Sequence, residues 1–301
     1  MKKSLLAVGS VALDSVETPF GKVRDVLGGS ATFFSAAARF FLPVSIVAVV
    51  GKDFPAKYLR FIKSLGVNTS GLEVAQGKTF RWQGYYDYDL NSAKTLRTEL
   101  NVFQSFDPKL SASHKSCKSV FLANIDPKLQ YSVLNQIKSP SLVACDTMNY
   151  WIGTQKEALL KLLKHVDIFL CNDAEARELS KEYNLIQCAK WILKRGPKLL
   201  VIKKGEHGVL CFSKNFLFLA PAFLLESVMD PTGAGDSFAG GFIGYLASQP
   251  KLEEQVIRRA IIYGSVLASY NVESFSLDRL AKLKRPDLLK RFDLFKKVTH
   301  F

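Results

Sequence analysis

The 301-residue sequence has no long hydrophobic run, no internal repeat, no low-complexity tract and no Pro/Ser-rich linker, so it offers neither a membrane span nor a visible seam between domains. Its five cysteines, Cys117, Cys145, Cys171, Cys188 and Cys211, include no Cys-x-x-Cys pair, and several lie inside apolar runs. That is the usage of small buried residues in a reducing compartment. The four histidines lack ligand spacing, which excludes a structural zinc motif. No GxxxxGK[ST] phosphate loop exists: Gly77-Lys78-Thr79 resembles its end, but Leu72 stands where the first glycine must be. Met1-Lys2-Lys3 and the apolar run Leu5 to Leu13 imitate a signal peptide, yet the run is short and Asp14 ends it without a cleavage site. A buried first strand and a cytoplasmic protein are expected.

Acidic residues are scarce relative to basic ones, giving a formal charge of +14. The excess is scattered. Its densest group, Lys282, Lys284, Arg285, Lys290, Arg291, Lys296 and Lys297, accompanies no nucleic-acid module and reads as a solvated helical face, so neither nucleic acid nor membrane is expected as a partner.

Short apolar runs alternate with helical stretches, as in βαβ units, and predict one α/β domain over 1–301 with a mostly parallel sheet covered on both faces. The predicted strands are Leu5 to Leu13, Ser45 to Val50, Ser119 to Asn124, Ser141 to Asp146, Asp167 to Cys171 and Leu199 to Lys203. Two segments, about 15–27 and 72–103, break this rhythm with β-branched and aromatic residues and turn formers. They predict a small projecting sheet. Its aromatic residues, Trp82, Tyr85, Tyr86 and Tyr88, suit a substrate, the main domain or a homodimer contact through that sheet.

The densest chemistry is Asp230-Pro231-Thr232-Gly233-Ala234-Gly235-Asp236, which runs directly into a helical stretch. Small residues let backbone N–H groups converge, and the helix adds the positive end of its dipole, so anionic oxygens collect there. Bound phosphate would repel Asp236, which suits that carboxylate to taking a proton from an attacking hydroxyl. The same residues could also simply cap a buried helix.

This stretch resembles the C-terminal signature of the PfkB (ribokinase-like) family of sugar and nucleoside kinases, usually Asp-Thr-x-Gly-Ala-Gly-Asp, with Pro231 in place of the usual Thr or Ser. Gly28-Gly29-Ser30-Ala31 resembles the family's second glycine signature, and Asn172-Asp173-Ala174-Glu175 its Asn-x-x-Glu motif. The resemblance implies a three-layer αβα sandwich with a β lid. The activity it implies is transfer of the γ-phosphoryl of ATP to a primary hydroxyl of a nucleoside or sugar. It implies Asp236 as general base, amides of Gly233, Ala234 and Gly235 around the phosphoryl group, and Mg²⁺ through Asn172 and Glu175. It also carries an optional K⁺ site onto Asp230 and Thr232. Asn172 and Glu175 equally fit a helix capping box.

For the acceptor, the resemblance carries binding onto Asp14, Gly28 and Gly29; Asp14 read alone could be a turn or cap residue. Phe33 stands near where ribose binders carry Asn, and with Phe34, Trp82 and Tyr85 it favours a ring-bearing nucleoside over a free sugar. Lys203, Gly205 and Gly208 match the nucleotide-contacting turn, and Asn271 the adenine enclosure. Two alternatives remain open: a sugar-phosphate kinase using Arg81, Lys94 or Arg97 for the phosphate, and a binding relative without turnover.

Overall fold

The computed structural model describes residues 3–300, so the Met1-Lys2 start of the sequence lies outside it. Thirteen strands form two sheets among the described residues. The first six are β1 (Leu5–Val8), β2 (Ala12–Thr18), β3 (Gly21–Gly28), β4 (Val44–Gly51), β5 (Asn68–Ala75) and β6 (Arg81–Tyr86). They are followed by β7 (Ala93–Glu99), β8 (Ser119–Leu122), β9 (Leu142–Cys145), β10 (Ile168–Asn172), β11 (Leu199–Lys203), β12 (Val209–Ser213) and β13 (Leu217–Ala220).

The main sheet has the order β13-β12-β11-β10-β9-β8-β1-β4-β5, parallel from β11 to β5 and closed at its other edge by the antiparallel β12 and β13. Its central strands are apolar on both faces because helices cover both. Along β1, Leu5 and Ala7 join one core with the helices Ser30–Ala38, Ala234–Ser248 and Glu254–Asn271. Leu6 and Val8 join a second core with Lys156–Leu163, Asp173–Ser180 and Leu185–Leu193. This is the expected αβα sandwich. No helix among the described residues is long and apolar enough to cross a membrane.

The predicted first strand is corrected: the run Leu5 to Leu13 is not one strand. It breaks at Gly9 to Val11, and β2 leaves for the second sheet, of order β3-β2-β6-β7. Gly29 ends β3 at φ +97, a conformation that glycine adopts without steric cost, and turns the chain into the helix Ser30–Ala38. The second projecting segment starts later than expected, because β5 pairs in parallel with β4 in the main sheet. An edge strand with half its residues exposed does not show the continuous apolar run that marks a buried parallel strand.

The small sheet is tied to the body through Asp53, in the turn after β4. Its Oδ1 accepts hydrogen bonds from the Thr79 amide and hydroxyl, both at 2.7 Å, while Oδ2 pairs with Arg81 at 2.7 Å. Arg81 also pairs with Asp25 of β3 at 2.6 Å. Thr79 is fully buried, so Asp53→Ala strands a buried amide and hydroxyl and is expected to cost about 1–3 kcal/mol. Asp25→Asn, which keeps a residue type tolerated at the φ of +48 found there, removes only the charge from an exposed pair and is expected to cost less than about 1 kcal/mol. Urea denaturation of the two variants checks the ranking.

Candidate active site

The helix Ala234–Ser248 begins at Gly233, whose φ of +76 is left-handed, and no side chain caps this terminus. The Ala234 amide donates to the Pro231 carbonyl at 3.0 Å, and Ser237 to Gly233 at 2.8 Å. The amides of Gly233, Gly235 and Asp236 find no acceptor among the described residues. Uncapped amides at the positive end of a 15-residue helix are an anion site. Of the predicted amide cluster, Ala234 is therefore already engaged. Pro231 is accommodated because Asp230 Oδ1 holds the next amide, that of Thr232, at 2.9 Å.

The turn is braced from three sides. Asn271 Nδ2 donates to the Thr232 carbonyl at 2.7 Å. Thr18 of β2 donates to the Met229 carbonyl at 2.9 Å, and the Thr232 hydroxyl donates to Tyr86 of β6 at 3.3 Å. Phe33 lies face-on beneath it: a Cβ on Gly233 would fall 2.4 Å from its ring. Two expectations change. Phe33 is 2% exposed and serves as packing under the turn rather than as an acceptor contact. Asn271 is buried beneath the turn and does not line the neighbouring cavity, where Ala268 and Ser269 of the same helix and Val272 just after it do.

That cavity, of about 520 Å³, starts at Ala234 and Gly235 and reaches Phe223 and Leu225. Lys203, Asn172, Gly205 and Gly208, which the sequence reading assigned to nucleotide binding, also line it. Lys203 is deeply placed: its Nζ donates to Asp146 Oδ2 at 2.7 Å, and a Cβ on Gly235 would meet that Nζ at 3.1 Å. Burial opposes its charge, but Asp146, Glu175 and Asp236 outweigh this and hold the ammonium above its ordinary range. Asp146 was missed in the sequence although it follows β9, at a strand's carboxyl end like Asn172 and Lys203, where ligand sites of open α/β sheets lie.

Asn172 and Glu175 form the capping box: Asn172 Oδ1 accepts the Glu175 amide at 2.8 Å and Glu175 Oε2 accepts the Asn172 amide at 2.7 Å. Glu175 is nonetheless pushed up to about 7 by burial and by Asp146, against the pull of Lys203. Half-buried Asp236 is likewise raised to about 7, by burial and Asp146. Asp14 reaches about 7 through burial and the nearby Asp230, although the Gly29 amide supports its charge. Asp230, 1% exposed, is also raised by burial.

Asp14 lies in β2 rather than at the end of the main-sheet strand. It packs against Gly28, where a Cβ would be 1.8 Å from Asp14 Oδ2. Its neighbour in register is Trp82 of β6, so the two side chains share one face of the small sheet, and so do Thr18 and Tyr86, which touch the turn from Met229 to Thr232. Tyr85 faces the other way, with Lys94 over its ring, and Phe34 is fully buried against Phe121. Of the rings cited for a nucleoside, Trp82 alone faces the site. The three cations suggested for a sugar phosphate are each engaged: Arg81 with Asp25 and Asp53, Lys94 with Asp87, and Arg97 with Glu99.

Residues 3–281 match the pfkB family carbohydrate kinase model. The chain belongs to this family. Among its PfkB relatives is the cytidine kinase of Thermococcus kodakarensis, 30% identical over 259 residues, which are 84% of this chain and 91% of that protein. The nucleoside kinase of Methanocaldococcus jannaschii, described as an archaeal member of the ribokinase family, superposes with a TM-score of 0.79 at 21% identity, covering 97% of this chain and 98% of its own. A ribokinase II from E. coli, described as a complex with ATP and Mg²⁺, superposes with a TM-score of 0.76 at 18% identity over 98% and 99% of the two chains. This PfkB chain is a ribokinase-like phosphotransferase with an alcohol acceptor.

The raised carboxylates carry a stability cost with a definite sign. A carboxyl near 4 when unfolded and near 7 when folded binds more protons in the native state, so its contribution is full below about 4 and is lost as pH rises through about 7. Asp14→Asn is therefore expected to raise the melting temperature at pH 8 and to leave it nearly unchanged at pH 4. Thermal scans at the two pH values check this.

Proposed function

We propose that this PfkB protein is an ATP-dependent nucleoside kinase that phosphorylates a primary hydroxyl, with Asp236 as the base. The observation that carries the proposal is Asp236 at the head of an uncapped helix, beneath the sheet face that bears Asp14 and Trp82. Asp14 accepts hydrogen bonds from the ribose hydroxyls, and Trp82 offers a ring for the base. The resemblance to a cytidine kinase at 30% identity supports a nucleoside over a free sugar. The pairing of Arg81, Lys94 and Arg97 with carboxylates argues against a sugar-phosphate acceptor.

In the reaction the acceptor oxygen gives its proton to Asp236 and forms a bond to the γ-phosphorus, while the bond from that phosphorus to the β,γ-bridging oxygen breaks and ADP leaves. A carboxylate raised to about 7 is matched to this task near neutral pH. The amides of Gly233, Gly235 and Asp236 and the Lys203 ammonium face the charge that develops on the phosphoryl oxygens. Lys203 is prepositioned by Asp146, so little reorganisation accompanies transfer.

The residues present fit Mg²⁺ as a hydrated ion. The described residues hold no cluster of three His, Cys, Asp or Glu side chains suited to a metal, so an all-protein cage is lacking. Buried Glu175, whose charge is only partly offset by Lys203, gains from a nearby dication, and Asn172, its capping-box partner, lines the cavity that starts at Ala234 and Gly235. When bound, Mg²⁺ would supply neutralising charge to the phosphates. Asp230, buried and with no cationic side chain paired to it among the described residues, supports a K⁺ site together with Thr232.

Asp236→Asn is expected to lower kcat by at least about 10²-fold while MgADP still binds by calorimetry. Retained turnover in the folded variant would remove Asp236 from its role. For the acceptor, kcat/KM across nucleosides and free sugars is expected to favour a nucleoside. A sugar preferred by more than about tenfold, roughly 1.4 kcal/mol, would sink that part.

A further inference from the structure

The large cavity has walls from two places far apart in the chain. The body supplies Phe223, Ala268 and Val272, and the hairpin joining β6 to β7 supplies Tyr86, Leu90 and Asn91. This hairpin also bonds across the cavity mouth. Asn91 Nδ2 donates to Glu206 Oε1 at 2.9 Å, and a Cβ on Gly205 would come within 3.0 Å of Asn91 Oδ1. Gly205 and Glu206 belong to the turn after β11, which lines the same cavity beside Lys203.

The hairpin holds its shape independently of that bond. The Leu90 amide donates to the Asp87 carbonyl at 3.0 Å, Asp89 Oδ1 accepts the Asn91 amide at 3.2 Å, and Lys94 pairs with Asp87. Leu90 sits at φ +56, a conformation that non-glycine residues keep only where the surroundings fix it, as in ligand clamps. The hairpin tip is also remote from the acceptor end of its own strand. From Trp82, level with Asp14, to Tyr86 the strand advances about 13 Å at 3.3 Å per residue.

We infer that the β6–β7 hairpin is part of the nucleotide site: Leu90 and Asn91 close the donor cavity over bound nucleotide, so one lid holds donor and acceptor at once. The inference rests on the kinase reading and extends it. A sheet that served only the acceptor would have no reason to bond to the turn at Gly205 and Glu206. Because β6 carries Trp82 at one end and the hairpin at the other, a nucleotide that orders the tip also orders the acceptor face, and the coupling is reciprocal.

The test is calorimetric titration of MgADP, without acceptor, into the wild-type protein, Asn91→Ala and Asn91→Asp. Asn91→Ala removes the bond to Glu206 and is expected to weaken MgADP about fivefold. Asn91→Asp sets two carboxylates against each other and is expected to weaken it about tenfold or more. Melting temperatures near that of the wild type verify that this exposed loop has not disturbed the fold. MgADP affinities within twofold of the wild type in both variants would overturn the inference and leave the kinase reading intact. Failure of the wild-type protein itself to bind MgADP would overturn both.

Discussion

One ammonium group, Lys203 Nζ, stands among carboxylates that outnumber it. Asp146 takes its direct bond, and Glu175 and Asp236 are close enough to feel its charge. Burial, reinforced by the charge of Asp146, outweighs the pull of Lys203 and leaves Asp236 and Glu175 near 7. Gly235 leaves room for this approach: a Cβ there would lie 3.1 Å from Nζ, and the ammonium would have to give by a few tenths of an ångström. The glycines of this turn thus do more than bend the backbone. Gly233 lets Phe33 press up from the core, and Gly235 lets the ammonium press in from the sheet.

The lid reaches this centre through hydroxyls, while Leu27 of β3 packs into the main core. Thr18 and Tyr86 each make one bond to the segment from Met229 to Thr232, and the residues of β7 are largely exposed. Few bonds of modest strength make this junction one of the less firmly held parts of the molecule.

Much of this was legible in the sequence, for stated reasons. Strands buried on both faces announce themselves as apolar runs, so β4, β8, β9, β10 and β11 were placed within a residue or two. The turn Asp230 to Asp236 was legible because glycine spacing and a first-turn acid encode local geometry. What failed was tertiary. Nothing local marks Gly9 to Val11 as the point where the chain changes sheets, and β5 is too exposed to look like a parallel strand. Phe33 differs from its sequence reading because a ring in the first turn of a helix beside a glycine pair reads the same whether it faces a ligand or the underside of another turn. Asp146 was overlooked because its importance lies in Lys203, 57 positions later.

The pairing of β2 with β6 has a consequence for how the molecule assembles. These strands run parallel, with Leu13 beside Arg81, while β4 and β5 of the main sheet lie between them in the chain. Each lid hairpin, β2 with β3 and β6 with β7, can close locally at small entropic cost. Their union needs a long loop closed first, and β1, β4 and β5 close it only by taking their places in the main sheet. The β2–β6 pairing that unites the two hairpins is thus the one in the lid whose loop-closure cost is met by the main sheet.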